Sequence, residues 1–274
     1  MPMPLEFCAF LEHLAKKHIS PATIRNKVSH VRQWIKNAEG CISITFHASI
    51  LKWLDAMDKS TDYVSKPKEA VPVHIVKSVI SSLSQDNMGW IYRAAILLIS
   101  YGGFRQSEVM PQSAEKFDHK KHLTRKDLLV HPEAVQITIK NGKNKSKFDQ
   151  KRVCVFKKND TSDYCVVFAI NMLYNIQPTR YEDEPLFTFP QTNVPVPIYK
   201  LRKTWEDALK SLKYDISRYS LHSIRKMNAT VSYHSGISEY EIKEFGGWSS
   251  SAYRSYIKTR ADLSVNAALR HHFK

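Results

Sequence analysis

Toward its C-terminal end the chain gathers, within residues 221–258, side chains that can act on a phosphodiester. His222 and Arg225 are three apart, Trp248 follows two glycines, and Tyr253 and Tyr256 come next. A guanidinium clamps phosphate through planar, bidentate donors. An imidazole moves protons near neutral pH. A phenol can attack phosphorus and hold it as a covalent ester. Because a free phenol ionises only near ~10, attack at neutral pH needs a proton acceptor and a positive pocket. Far upstream, Gly102 and Gly103 close an apolar run, and FRQSEV then places Arg105 and Glu108. A glycine pair permits a tight turn at a helix end, from which Arg105 can project off a rigid base. Taken singly, each residue also fits a plainer role: a solvated helix face, a packing tyrosine or a surface arginine after a cap.

The combination is more specific. The wording HSIRKMNAT…GGWSSSAYRSYIK resembles the C-terminal signature of the tyrosine recombinases (the phage-integrase family), closest to the recombinases of DIRS-like retrotransposons and Crypton elements. In those a Trp stands where many relatives have His and the nucleophile lies eight residues on, as Tyr256 does from Trp248. Residues 103–108 resemble the family's Gly-x-Arg-x-Ser-Glu box, which implies Arg105 as the first catalytic arginine and Glu108 as the acid supporting it. SKFDQ resembles the family's SKTDQ and implies Lys147 as general acid. Phe148 departs from the usual Thr, and Lys145 and Lys143 are the alternatives. The resemblance further implies Tyr256 as nucleophile, His222 as its proton acceptor and Arg225 as the second phosphate arginine. Trp248 would donate an indole N–H to a non-bridging oxygen. Tyr253 and Tyr256, three apart, share a helix face, so spacing alone leaves both open.

Elements that would position these groups are legible by periodicity. Residues 5–18 carry Phe7, Phe10, Leu11 and Leu14 at helical spacing. Ser20-Pro21 starts a second helix with Ile24, Val28, Val31 and Ile35 on one stripe and Arg25, Lys27, His30, Arg32 and Lys36 on another. A third holds Ile50, Leu51, Leu54 and Met57. Residues 60–72, with two prolines and no apolar stripe, read as a linker. Beyond it come helices near 73–83 and 90–100, the latter apolar nearly all round and therefore buried. A hairpin follows, with Val135, Ile137 and Ile139 alternating on one strand and residues 151–156 on the other. A basic loop joins the strands: residues 140–152 hold six Lys/Arg and one acid. Helices are expected over 163–176, 199–214 and 221–235. Ser238 and Glu241 form a capping box for another. A short tyrosine helix over 249–258 and a final helix over 261–274 complete the chain.

Composition bounds the rest. The chain has 274 residues and 43% apolar content, enough for a sizeable core. Its net charge of +15 points to a polyanion, nucleic acid before an acidic membrane. Residues 1–66 contribute net +3, leaving +12 on the remainder. Four cysteines form no CxxC pair or zinc spacing, so free thiols are expected. Glu6 and Glu12 flank the first apolar run, which disfavours a secretory leader. There is no HExxH, no Gly-x-Ser-x-Gly and no P-loop.

The expected architecture is mainly α with a small β-sheet. A helical core-binding domain spans 1–66, and a mixed α+β catalytic domain with a C-terminal tail helix spans 67–274. The family resemblance implies double-stranded DNA as partner, contacted through Arg25, Lys27, Arg32, Lys143 and Lys145. It also implies a homo-oligomer, a dimer on one site and a tetramer in synapsis, assembled through the tail. No cofactor, metal or membrane is expected. The setting would be intracellular: nuclear for a eukaryotic element, cytoplasm or nucleoid for a bacterial or viral one. Two alternatives share these residues, a type IB topoisomerase and a DNA-binding descendant that no longer cleaves.

Overall fold

A computed structural model describes residues 5–17, 19–39, 48–60, 68–140, 152–159, 163–177, 181–248 and 250–257. The chain divides into two compact units, Met1–Pro67 and Lys68–Lys274.

The first unit packs α1 (Leu5–Ala15), α2 (Pro21–Glu39) and α3 (Ala48–Ser60). Ser20 caps α2, its hydroxyl accepting from the Thr23 amide at 3.2 Å. Leu11, Leu14, Ile24, Val28, Ile50 and Leu54 form the core, with Phe10, Val31, Trp53 and Met57 against it. Leu51 does not join its expected stripe and is half exposed. One residue past Ile50, it is turned ~100° around the helix, and Trp53 takes the seam instead.

The second unit is built on α5 (Asn87–Gly102), which packs against α7 (Val166–Ile176) and α9 (Leu221–His234). Asp86 caps α5 by accepting from the Gly89 amide at 2.7 Å, so the helix starts earlier than its apolar run shows. Gly103 ends it in the left-handed conformation, φ 57°. Around this centre stand α4 (Val73–Ser82), the single turn α6 (Gln106–Val109), α8 (Ile198–Ser211) and α10 (Glu239–Gly246).

Three antiparallel strands, in the order β1-β2-β3, form the sheet: β1 (Leu128–His131), β2 (Ala134–Ile139) and β3 (Arg152–Lys157). The expected hairpin is β2 with β3, in a register that places Ile137 opposite Cys154 and Ile139 opposite Arg152. β1 was not expected. It is an edge strand with only Leu128 buried, so it shows no two-residue alternation. Asp127 fixes its start by accepting from the Thr124 amide and hydroxyl, both at 2.7 Å. The architecture is thus mainly helical with a small sheet. Cys154 and Cys165 are buried free thiols. Among the described residues no helix is long and apolar enough to cross a membrane.

Leu98 is fully enclosed on α5, whereas Leu129 lies half exposed on β1. Leu98→Ala should cost about 2–5 kcal/mol in urea unfolding, and Leu129→Ala about 0.5 kcal/mol or less.

Candidate active site

Four separate segments meet at one turn. The first is the head of α6, where the Arg105 amide donates to Glu108 Oε2 at 2.7 Å and its Nη1 to Oε1 at 2.8 Å. Both carboxylate oxygens are thereby used, and Glu108 is 5% exposed. The second is α9, started at Ser220, whose amide donates to Ser223 Oγ at 3.0 Å while the Ser223 amide returns to the Ser220 carbonyl at 2.8 Å. Three-residue spacing puts His222 and Arg225 on one face of it. Asn228, one turn on, donates to the carbonyls of Ser100 and Tyr101 and so ties α9 to the end of α5.

The third segment is the end of α10. Its capping box is the expected one, with Ser238 and Glu241 exchanging bonds at 3.1 and 3.3 Å. Gly247 terminates it at φ 62°, and the Trp248 amide returns to the Lys243 carbonyl at 2.9 Å. Arginines hold the carbonyls of this turn. Arg225 Nη2 donates to Gly246 O at 2.7 Å, its Nη1 to Gly103 O, and Arg105 Nη2 to Gly247 O at 3.2 Å. The Arg225 guanidinium also stacks 4.0 Å from the Trp248 ring centroid. Arg105 and Arg225 therefore meet at one turn. Arg105 keeps 21% of its side chain exposed against 2% for Arg225, so approach to the pair is open over Arg105.

The fourth segment is the expected short tyrosine helix, a 3₁₀ turn over Ser251–Tyr256. In a 3₁₀ helix residues three apart eclipse, and both tyrosines flank Trp248 at 6.0 Å between centroids. They differ in access. Tyr253 is 2% exposed and packs with Ala229 and Ile242. Tyr256 is half-buried, its Oη 3.3 Å from His222 Nε2, its carbonyl accepting from the Thr230 hydroxyl at 2.8 Å. Lys226 Nζ lies 5.6 Å from its ring centroid.

Electrostatics follow from this crowding. Burial, then Arg225, Lys226 and Arg105, push His222 down to about 4. It is therefore neutral at pH 7 and able to accept the Tyr256 proton. Burial and Arg105 lower Arg225 to about 9, which leaves it charged at neutral pH. Burial raises the Glu108 carboxyl, but Arg152 and Arg105 outweigh it and hold it below the usual range.

The structure thus brings together Arg105, Glu108, His222, Arg225, Trp248 and Tyr256. Lys143, Lys145 and Lys147 lie outside the described residues, as do the Arg32 side chain and the tail over 258–274. Lys27 is exposed on α2, and Arg25 pairs with Asp55 at 2.9 Å. Lys140 turns inward to Asp127 at 2.5 Å, away from the solvated loop its sequence context suggested. One residue at the site was not singled out by the sequence reading: Arg152, whose Nη2 meets Glu108 Oε2 at 3.1 Å. Its parity was the available signal, because it precedes the buried Cys154 and Phe156 by two and four residues on one strand. Among the described residues no group of three His, Cys, Asp or Glu could hold a metal ion.

No protein-family model and no curated protein matches the sequence. Solved structures do match in shape. XerH site-specific recombinase bound to its difH substrate superposes with TM-score 0.58 at 16% identity, over 95% of this chain and 68% of that one. The fold is that of the tyrosine recombinases. The Tn1549 transposon integrase with circular intermediate DNA shares this fold at TM-score 0.58 and 15% identity, over 92% of this chain and 79% of that one. A lambda integrase dimer on a COC′ core site gives TM-score 0.55 at 12% identity, over 96% of this chain and 66% of that one. On the tyrosine-recombinase fold described here, the residues converging at the Gly246-Gly247 turn come from the segments whose wording carried the family resemblance.

The His222 enclosure can be tested directly. Its folded value lies below that of an unfolded histidine, so the unfolded chain binds the extra proton between about 4 and ~6.5. This group's contribution to stability is present above that window and is lost as pH falls through it. An NMR titration should place the His222 midpoint near 4, and His222→Gln should flatten this part of the stability profile. A midpoint at the ordinary value would contradict the enclosure.

Proposed function

We propose that this chain is a site-specific DNA recombinase that cleaves and rejoins strands through a covalent 3′-phosphotyrosyl intermediate. The observation that carries the reading is the Tyr256 hydroxyl beside a neutral His222, with Arg105 and Arg225 meeting at the adjoining turn. The fold shared with recombinases solved on DNA supports it.

In this mechanism Tyr256 Oη attacks phosphorus and its proton passes to His222 Nε2. The P–O5′ bond breaks as the P–Oη bond forms, and the departing 5′-oxygen takes a proton from Lys147. A partner strand's 5′-hydroxyl then attacks the ester, releases Tyr256 and reseals the backbone, so the bond energy is conserved. Arg105 and Arg225 stabilise the charge on the pentacovalent phosphorane, the dominant contribution expected of a fixed positive site. Trp248 holds Arg225 by its ring face and supplies one N–H to the phosphate. Residues 1–66 act as the core-binding domain, and Arg25, Lys27, Arg32, Lys143 and Lys145 contact DNA. The basic surplus favours binding with a steep salt dependence. Assembly is a dimer on one site and a tetramer in synapsis, through the tail. The Trp248-to-Tyr256 spacing supports placement near the DIRS-like and Crypton recombinases.

Duplexes recovered from a random pool by the full chain, re-made with a nick beside the cleavage position, provide a suicide substrate. The wild-type chain and Tyr253→Phe should trap covalent DNA, and Tyr256→Phe should trap none. Trapping by Tyr256→Phe with none by Tyr253→Phe would move the nucleophile. No adduct from any of the three would overturn the reading.

A further inference from the structure

Arg152 begins β3 directly after the basic loop, where a solvated side chain is the ordinary expectation. Its side chain is instead only 12% exposed. Its Nη2 donates to Glu108 Oε2 at 3.1 Å, the same oxygen that accepts from the Arg105 amide. Its Nη1 lies against Gly247 so closely that a methyl at that Cα would sit 2.2 Å away. Its guanidinium covers the Phe104 ring at 5.0 Å. One side chain thus touches the carboxylate that orients Arg105 and the turn whose carbonyls Arg105 and Arg225 hold.

We propose that Arg152 is a positioning residue of this site: through Glu108 it fixes Arg105, and through Gly247 it fixes the turn that presents Trp248. The inference rests on the phosphoryl-transfer reading above and adds a residue to it. A guanidinium can do this where an ammonium cannot. Its rigid fork puts one arm on the carboxylate while the other lies on backbone, and its flat face stacks on the phenyl ring. The charged and titratable groups facing Glu108 are Arg105 at the head of α6, Arg152 and Cys154 on β3, and Arg225 on α9. The Arg152 charge is the largest single interaction that pulls the carboxyl down, and Arg105 adds its own charge and two hydrogen bonds. Removing it leaves Arg105 as the only guanidinium hydrogen-bonded to Glu108 among the described residues.

The test compares Arg152→Met and Arg152→Lys in the full chain. Carbon-13 NMR of the glutamate carboxyls, without DNA, reads the clamp itself. Arg152→Met should raise the Glu108 midpoint by about one unit or more, and Arg152→Lys, which keeps the charge, should hold it near the wild-type value. Single-turnover covalent joining to the nicked duplex reads the consequence. Arg152→Met should be slower by roughly 10- to 100-fold at saturating DNA, with duplex affinity little changed. The acid limb of its pH profile should move upward. Arg152→Lys should restore the acid limb but not the full rate. An unmoved Glu108 midpoint, an unaltered rate, or a rate loss explained wholly by weaker DNA binding would overturn the assignment. If thermal melts show Arg152→Met unfolded, Arg152→Lys decides, and a wild-type rate there would overturn it. A wild-type chain that traps no DNA overturns the proposed function and not this assignment, which the carboxyl titration settles by itself.

Discussion

Like charges repel, and this structure sets three guanidiniums around one buried carboxylate. Arg105 and Arg152 both bond Glu108, and Arg225 lies near enough to feel Arg105, Arg152 and Glu108. In a low-dielectric interior such a cluster is costly unless every donor finds an acceptor. For Arg225 and Arg105 the acceptors include backbone carbonyls at two glycine turns, Gly103 at the end of α5 and Gly246-Gly247 at the end of α10, while Arg152 Nε is buried without a hydrogen-bond partner among the described residues. The helix ends are therefore part of the electrostatics as well as of the scaffold. Their unsatisfied carbonyls are what the arginines need, and the arginines satisfy what the helices leave over.

The cluster remains short of negative charge, and in the proposed reaction a phosphodiester supplies it. A site already organised around a missing anion spends little reorganisation when the charge on phosphorus grows. The same excess explains the neutral His222. Burial with three nearby cations disfavours its protonated form, so a group of ordinary reactivity becomes an acceptor beside the Tyr256 hydroxyl. Tyr253 shows the contrast. It has the same chemistry and the same ring distance to Trp248, but it is packed with Ala229 and Ile242 and interacts with Arg254, whereas the Tyr256 hydroxyl faces His222.

Much of this was legible because it rests on local rules. Gly102-Gly103 followed by Arg105 and Glu108, the three-residue spacing of His222 and Arg225, and the Ser238-Glu241 box each name a backbone geometry that the structure contains. The β2–β3 hairpin followed from alternation. What escaped depended on tertiary neighbours. Arg152 sat at the edge of a basic run, and only strand parity hinted that it faces inward. β1 carries three exposed residues in succession, so its pairing with β2 leaves no periodic trace. Leu51 looked like core because an apolar residue next to Ile50 cannot be assigned to one side of a helix without knowing where the neighbour lies.

The central claim is that Arg105, Arg225 and Tyr256 act on one phosphate. A crystal structure of Tyr256→Phe bound to a duplex recovered from the random pool tests it most directly. A single phosphodiester should lie within hydrogen-bond distance of both guanidiniums, with the ring of residue 256 facing it. Arg105 and Arg225 on different phosphates, or the duplex seated away from the Gly246-Gly247 turn, would contradict the account.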